Sequence, residues 1–358
     1  MPVAVVGGLR VNYLQVAPDT GAAEDLVMVH GLATNLAFWY APYATELSKR
    51  YRVTLYDLRG HGRSETPPSG YRAADLARDL RGLLDHLDIR RAHVLAHSYG
   101  GVVALNLACA DPHRVASLVV ADTHIAAARD GASTRGWGDG TRIQKILDDA
   151  GSALDVRDPY FGYHLLTEVA RLQQQDAHVP KPLADLVAPL LGARGNRTAM
   201  QWLALMDGTS ARAELMADDG LDLASLRALR FPIMAMYGDR SQARITGEEL
   251  LGVWPHAEFR RVRDAGHFFP TTRAAEVLRT CQRFWDGELP HPAVHRSGEG
   301  DERHFRSDRI YESGAGWFCL TREGSPLGPF PGPDAARREL AAHISSQGEG
   351  ARATAAAV

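Results

Sequence analysis

The segment Ala96-His97-Ser98-Tyr99-Gly100-Gly101 sets a serine between small residues two before and two after it. It follows a short apolar run and precedes the helical pattern Val102–Ala110. A nucleophile on a sharp strand-to-helix turn needs that arrangement, because the tight backbone leaves no room for side chains at the flanking positions. Such a turn would expose the Ser98 hydroxyl and aim a helix N-terminus at developing negative charge. Ser and Gly also build ordinary turns, so the pentapeptide takes its meaning from its surroundings. Val29-His30-Gly31-Leu32 follows one apolar run, Tyr56-Asp57-Leu58-Arg59-Gly60-His61-Gly62-Arg63-Ser64 the next, and Asp264-Ala265-Gly266-His267-Phe268 the last.

The elements that must carry these residues are legible as a β-α alternation. Val3–Val6 and Leu9–Val16, separated by Gly7-Gly8, read as a hairpin. Leu26–Val29, Val53–Tyr56, Ala92–Ala96 and Val115–Ala121 are short apolar runs of the kind buried parallel strands show, with helical patterns such as Ala73–Leu87 among them. From about 123 to 229 the strand signal stops, and helical stretches (Gly162–Gln175, Thr198–Leu205) dominate. Strands return at Ile233–Tyr237 and Glu258–Val262, and a helix at Ala274–Trp285 closes the region. The pattern predicts an α/β class protein: a mostly parallel sheet covered on both faces, interrupted by a helical cap. The expected organisation is a domain over 1–289, a Pro-, Gly- and charge-rich linker over 290–303, a small ββα-like module over 304–346 and a disordered tail over 347–358.

Composition excludes several classes. Forty Lys+Arg against 43 Asp+Glu leave a formal charge of −3 over 358 residues, too balanced for a nucleic-acid or membrane-surface protein. The start, MPVAVVGGLRVNYLQV, lacks the basic n-region of a signal peptide, and no window approaches the roughly 20 apolar residues of a membrane span. Cys109, Cys281 and Cys319 are too few and scattered for a disulfide framework or zinc site, so a cytoplasmic setting is expected. His291 and His295 stand in the linker without a third ligand, and Gly60-His61-Gly62 lacks the third glycine of a dinucleotide loop. No metal and no cofactor is expected.

Taken in order, His30-Gly31, the Asp57–Ser64 segment, the His97-Ser98 elbow and Asp264-Ala265-Gly266-His267 closely resemble the α/β-hydrolase family, over about Val3 to Asp286. Ala96 stands where that family usually has Gly. The resemblance implies that Ser98 is the nucleophile, His267 its general base, and the backbone amides of Leu32 and Tyr99 the oxyanion hole. It makes Asp57 and His61 holders of loops, and gives His97 a packing or site-shaping role. The acid departs from the commonest pattern: Ser241 occupies its usual place in Gly238-Asp239-Arg240-Ser241 and carries no charge to stabilise an imidazolium. The family's other acid position, at the end of the preceding strand, offers Asp122. Asp122 is preferred, with Asp239 the alternative; the order Ser…Asp…His holds for both.

A serine at the elbow, rather than an aspartate, points to acyl transfer on an ester, lactone or thioester. Hydrolysis of a C–C bond beside a carbonyl, and a non-catalytic ligand- or partner-binding role, are the rival readings. A small-molecule acyl substrate is expected, in a pocket formed by His30, Gly31, His97, Trp137, Tyr160, Phe161, Trp202 and Phe268. The C-terminal segment resembles a small module marked by Phe305-Arg306-Ser307-Asp308-Arg309, Trp317, Thr321-Arg322-Glu323-Gly324 and Gly328-Pro329-Phe330. About forty residues bury little surface alone, so docking on the hydrolase domain, self-association or a partner contact is expected of it.

Overall fold

Strands whose side chains are apolar on both sides can be buried only between two layers, and the computed structural model shows that arrangement. It describes residues 1–19, 23–129, 139–175, 179, 181–187, 195–288, 310–313, 316–320 and 326–343. The chain divides into two units, Met1–Phe305 and Arg306–Val358. In the first, β1 (Val3–Val6), β2 (Leu9–Val16), β3 (Asp25–Val29), β4 (Arg52–Tyr56), β5 (Ala92–His97), β6 (Val115–Ala121), β7 (Ile233–Gly238) and β8 (Glu258–Val262) form one sheet in the order β1-β2-β4-β3-β5-β6-β7-β8. β2 pairs antiparallel with β1 and β4; every pairing from β4 to β8 is parallel.

The period-2 alternation of each central strand divides the core into two layers. Val27, Val29, Val94, Ala96, Leu118 and Val120 face one cluster, which includes the helices Ala73–His86 and Tyr99–Ala110. Leu26, Met28, Leu95, Val119, Met234 and Met236 face the other, under Trp39, Tyr43 and the helix Ala274–Trp285. The helix Ala73–His86 buries Leu76, Ala77, Leu80, Leu83 and Leu84, a three-and-four spacing that makes a single apolar stripe.

Between β6 and β7 the described elements are helices, of which Gly140–Asp149, Phe161–Gln174 and Gly195–Gly208 are the longest. Ile143, Leu147, Phe161, Leu165, Val169, Leu183 and Val187 make a third cluster, which Phe268 joins from the loop after β8. The expected linker and tail lie outside the described residues.

In the second unit, β9 (Ile310–Ser313), β10 (Gly316–Leu320) and β11 (Pro326–Phe330) form an antiparallel sheet in the order β11-β10-β9, followed by a helix over 333–343. β11 is an addition to the expected ββα pattern. Pro and Gly suppress its strand signal, yet an edge strand tolerates prolines because one side of its backbone needs no ladder bonds. Among the described residues, no helix is long and apolar enough to cross a membrane.

Candidate active site

β5 ends at His97, and the chain turns at Ser98 with φ 55° and ψ −128° before the helix Tyr99–Ala110 begins. That backbone is sparsely populated for a side-chain-bearing residue and costs about 1–3 kcal/mol. Hydrogen bonds from Ser98 N to Ala121 O (2.9 Å) and from Gly101 N to Ser98 O (2.9 Å) hold it. The need for a small residue at 100 is steric: a Cβ on Gly100 would lie 2.5 Å from the His30 carbonyl oxygen and 2.6 Å from that of Val29.

The loop after β3 is fixed from below by side chains of the Asp57–Ser64 segment. Asp57 accepts from Leu36 N (2.7 Å), Arg63 N (2.8 Å) and Asn12 Nδ2 (2.7 Å). Its carboxylate fills the space where a Gly62 side chain would sit. His61 Nε2 accepts from Ala33 N (3.2 Å), the residue after Leu32, while Ala33 itself adopts φ 53°. His30 Nε2 accepts from Leu58 N (3.0 Å), so its other ring nitrogen donates to Gly31 O (2.7 Å). Both histidines must be neutral to accept these bonds. Burial lowers the His30 pKa against the pull of Asp57. Burial, reinforced by His30, takes His61 down to about 3. The amides of Leu32 and Tyr99 meet no protein acceptor among the described residues, and both residues line the same cavity as Ser98.

Asp122 follows β6 with φ 53° and is fully buried. Its Oδ1 accepts from Gly238 N (2.8 Å); its Oδ2 accepts from the Ser241 hydroxyl and lies 2.7 Å from His267 Nδ1. The opposite ring nitrogen, Nε2, is 3.0 Å from Ser98 Oγ. A hydroxyl, an imidazole and a buried carboxylate thus form a continuous chain: Ser98 can donate to Nε2 while Nδ1–H donates to Asp122. Asp239 takes a different place. It accepts from Ala265 N (3.2 Å) and lies 3.8 Å from Arg261, supporting the backbone of the His267 loop without reaching the ring. His97 is buried, stacks on Phe38 (4.8 Å between centroids) and bonds His267 O through Nε2 (2.9 Å). Burial, with His267 beside it, holds its pKa well below the ordinary value, so the neutral ring donates to that carbonyl.

A cavity of about 860 Å³ opens over Ser98. Gly31, His97, Tyr160, Phe161 and Phe268 line it, together with Ile143, Leu165, Leu186 and Val187 from the segment between β6 and β7. Two expected pocket residues lie elsewhere. His30 is fully buried and occupied with Leu58 and Gly31, and Trp202 is buried with its Nε1–H donated to Thr167 (3.1 Å). Trp202 was drawn to the pocket by its aromatic type, but its helix turns that position into the core, where burying a large ring is most favourable. Trp137 lies outside the described residues. These aliphatic residues carry no distinguishing signal in the sequence, because a pocket-lining helix face has the same periodicity as a core-facing one. Ser241 offered one signal, its position at the family's usual acid site.

Residues 26–274 match the alpha/beta hydrolase fold family, and residues 295–348 match a domain of unknown function, DUF6316. The chain is 30% identical over 300 residues to a protein of Caulobacter vibrioides (strain NA1000 / CB15N) named putative carbamate hydrolase RutD, covering 80% of this chain and 98% of the relative. The RutD of Caulobacter segnis is 30% identical over 277 residues, covering 74% and 92%. Among solved structures, the enol-lactonase from Burkholderia xenovorans LB400 is similar at 26% identity and TM-score 0.53, covering 80% of this chain and all of that one. The esterase RhEst1 from Rhodococcus sp. ECU1013, at 21% identity and TM-score 0.56, covers 79% and 97% and shares the fold.

Proposed function

The chain belongs to the α/β-hydrolase fold family and is a hydrolase, and we propose that it is a cofactor-independent serine hydrolase of carboxylic esters, lactones or related acyl compounds. The observation that carries this reading is the Ser98–His267–Asp122 chain, with separations of 3.0 and 2.7 Å, beneath a cavity lined largely by apolar side chains. Ser98 Oγ attacks the substrate carbonyl carbon, and its proton passes to His267 Nε2. Asp122 stabilises the imidazolium through Nδ1–H. The carbonyl oxygen, now an anion, takes hydrogen bonds from the free amides of Leu32 and Tyr99. Collapse breaks the bond to the leaving oxygen, which receives the proton from His267. Water then attacks the acyl-serine by the same route in reverse, giving up its proton to His267 and releasing the acid and the Ser98 hydroxyl.

Carbamates form the same tetrahedral anion, and the RutD relatives favour including them beside esters and lactones. The cavity of about 860 Å³, with Phe161, Leu165 and Phe268 around it, suits a medium-sized apolar acyl or aromatic group. The test is hydrolysis of p-nitrophenyl esters across acyl lengths. Ser98→Ala should lose roughly 10⁴-fold or more in kcat with its melting temperature unchanged. Asp122→Asn should lose about 10⁴-fold through the wrong histidine tautomer, while Asp239→Asn stays within a few-fold. Turnover and fluorophosphonate labelling that survive Ser98→Ala would refute the assignment.

A further inference from the structure

We propose that Ser241 is a positioning residue for the acid: its hydroxyl orients and partly neutralises the Asp122 carboxylate that faces His267. This inference rests on the serine-hydrolase reading above. Ser241 and His267 converge on one oxygen: Asp122 Oδ2 accepts both the Ser241 hydroxyl and Nδ1–H of His267, while Oδ1 takes Gly238 N. The Ser241 oxygen is itself held by an N–H from Ala243 (3.2 Å), so its proton is directed at the carboxylate. Asp122 is fully buried and Ser241 nearly so, which leaves these donors in place of solvent around the charge.

A buried carboxylate with one donor could rotate about its Cβ–Cγ bond. Gly238 N holds Oδ1, and the Ser241 hydroxyl is the donor on Oδ2 that does not depend on the histidine, so it keeps that oxygen facing the imidazole whichever way the ring moves. The serine also tempers the pull on the histidine. Each added donor spreads the carboxylate charge and weakens its attraction for the imidazolium, so removing the hydroxyl should raise the proton affinity of His267. The remaining titratable and charged groups near the pair are His97, with its ring centroid 4.8 Å from that of His267, Tyr237, which donates to Thr123 O (2.9 Å), His124, and the exposed Arg240–Asp264 pair (2.7 Å). A substitution at 241 changes none of them chemically.

The experiment measures the second-order rate of Ser98 labelling by a fluorophosphonate as a function of pH. In that step the Ser98 Oγ–P bond forms, the P–F bond breaks, the serine proton passes to His267 and fluoride leaves. For Ser241→Ala, the plateau rate should fall about tenfold, and the rising limb should move upward by about half a pH unit. Melting temperature should fall by only a few degrees, as expected for one hydrogen bond lost from a buried carboxylate that keeps its other donors. An unshifted limb with an unchanged plateau rate would overturn the proposal. So would a slower rate with an unshifted limb, because a merely structural residue produces that pattern. Failure of the wild type to label, or labelling unaffected by Asp122→Asn, would instead remove the serine-hydrolase reading and this inference with it.

Discussion

His61 offers a quantitative test of how the loop bearing the Leu32 amide is held. Its Nε2 accepts from Ala33 N, one residue beyond Leu32, and its Nδ1–H donates to Arg59 O (3.0 Å). Only the neutral ring can make both bonds. Burial, then the neighbouring His30, lowers its pKa from the ordinary 6.5 to about 3. The unfolded chain therefore binds the proton below about pH 6.5 and the native state does not. The stabilisation is fully present above pH 6.5 and is lost progressively as the pH falls toward 3. At pH 5 the two pKa values give a loss of about 2 kcal/mol relative to pH 8. For a chain of this size that corresponds to about 3 °C in melting temperature.

The assay compares melting at pH 8 and pH 5 for wild type and His61→Asn, whose amide oxygen can accept from Ala33 without titrating. His30 and His97 are also held low by burial and act in the same direction in both proteins. The variant should lose about 3 °C less than the wild type on acidification. Equal losses would refute the argument, because they would mean that His61 is not the buried neutral acceptor described. Thermal inactivation of ester turnover should follow the same order.

Gly100→Ala should abolish Ser98 labelling and cost about 1–3 kcal/mol of stability or more, since the new Cβ meets two backbone carbonyls that cannot move without displacing the loop after β3. A variant that labels at the wild-type rate would show that the elbow has room to spare. Trp202→Phe should leave ester turnover within about twofold while lowering the melting temperature by about 2 °C, through loss of the hydrogen bond to Thr167. A large change in KM would return Trp202 to the substrate cavity.

Local chemistry made much of this protein legible from its residues alone. Strand positions follow from short apolar runs, because a strand buried on both faces admits few polar side chains. The elbow pattern is also local in the sequence, with Ala96 and Gly100 either side of Ser98, although the atoms that demand a glycine at 100 are the Val29 and His30 carbonyls at the end of β3. The choice of acid was a different kind of question. Asp122 and Asp239 both stand at strand ends, and their separation in sequence from His267 says nothing about which carboxylate meets the ring. The packing of the loops that follow β6, β7 and β8 turns Asp122 toward Nδ1 and Asp239 toward the Ala265 backbone, and the proposed role of Asp122 rests on that geometry. The pocket followed the same rule. Periodicity marks which helix face is apolar, but it cannot distinguish a face that closes on a core from one that faces a cavity. Trp202 and Phe161 carry similar signals in the sequence and both are buried, and only the packing of the helices between β6 and β7 puts the second, and not the first, on the wall of the cavity over Ser98.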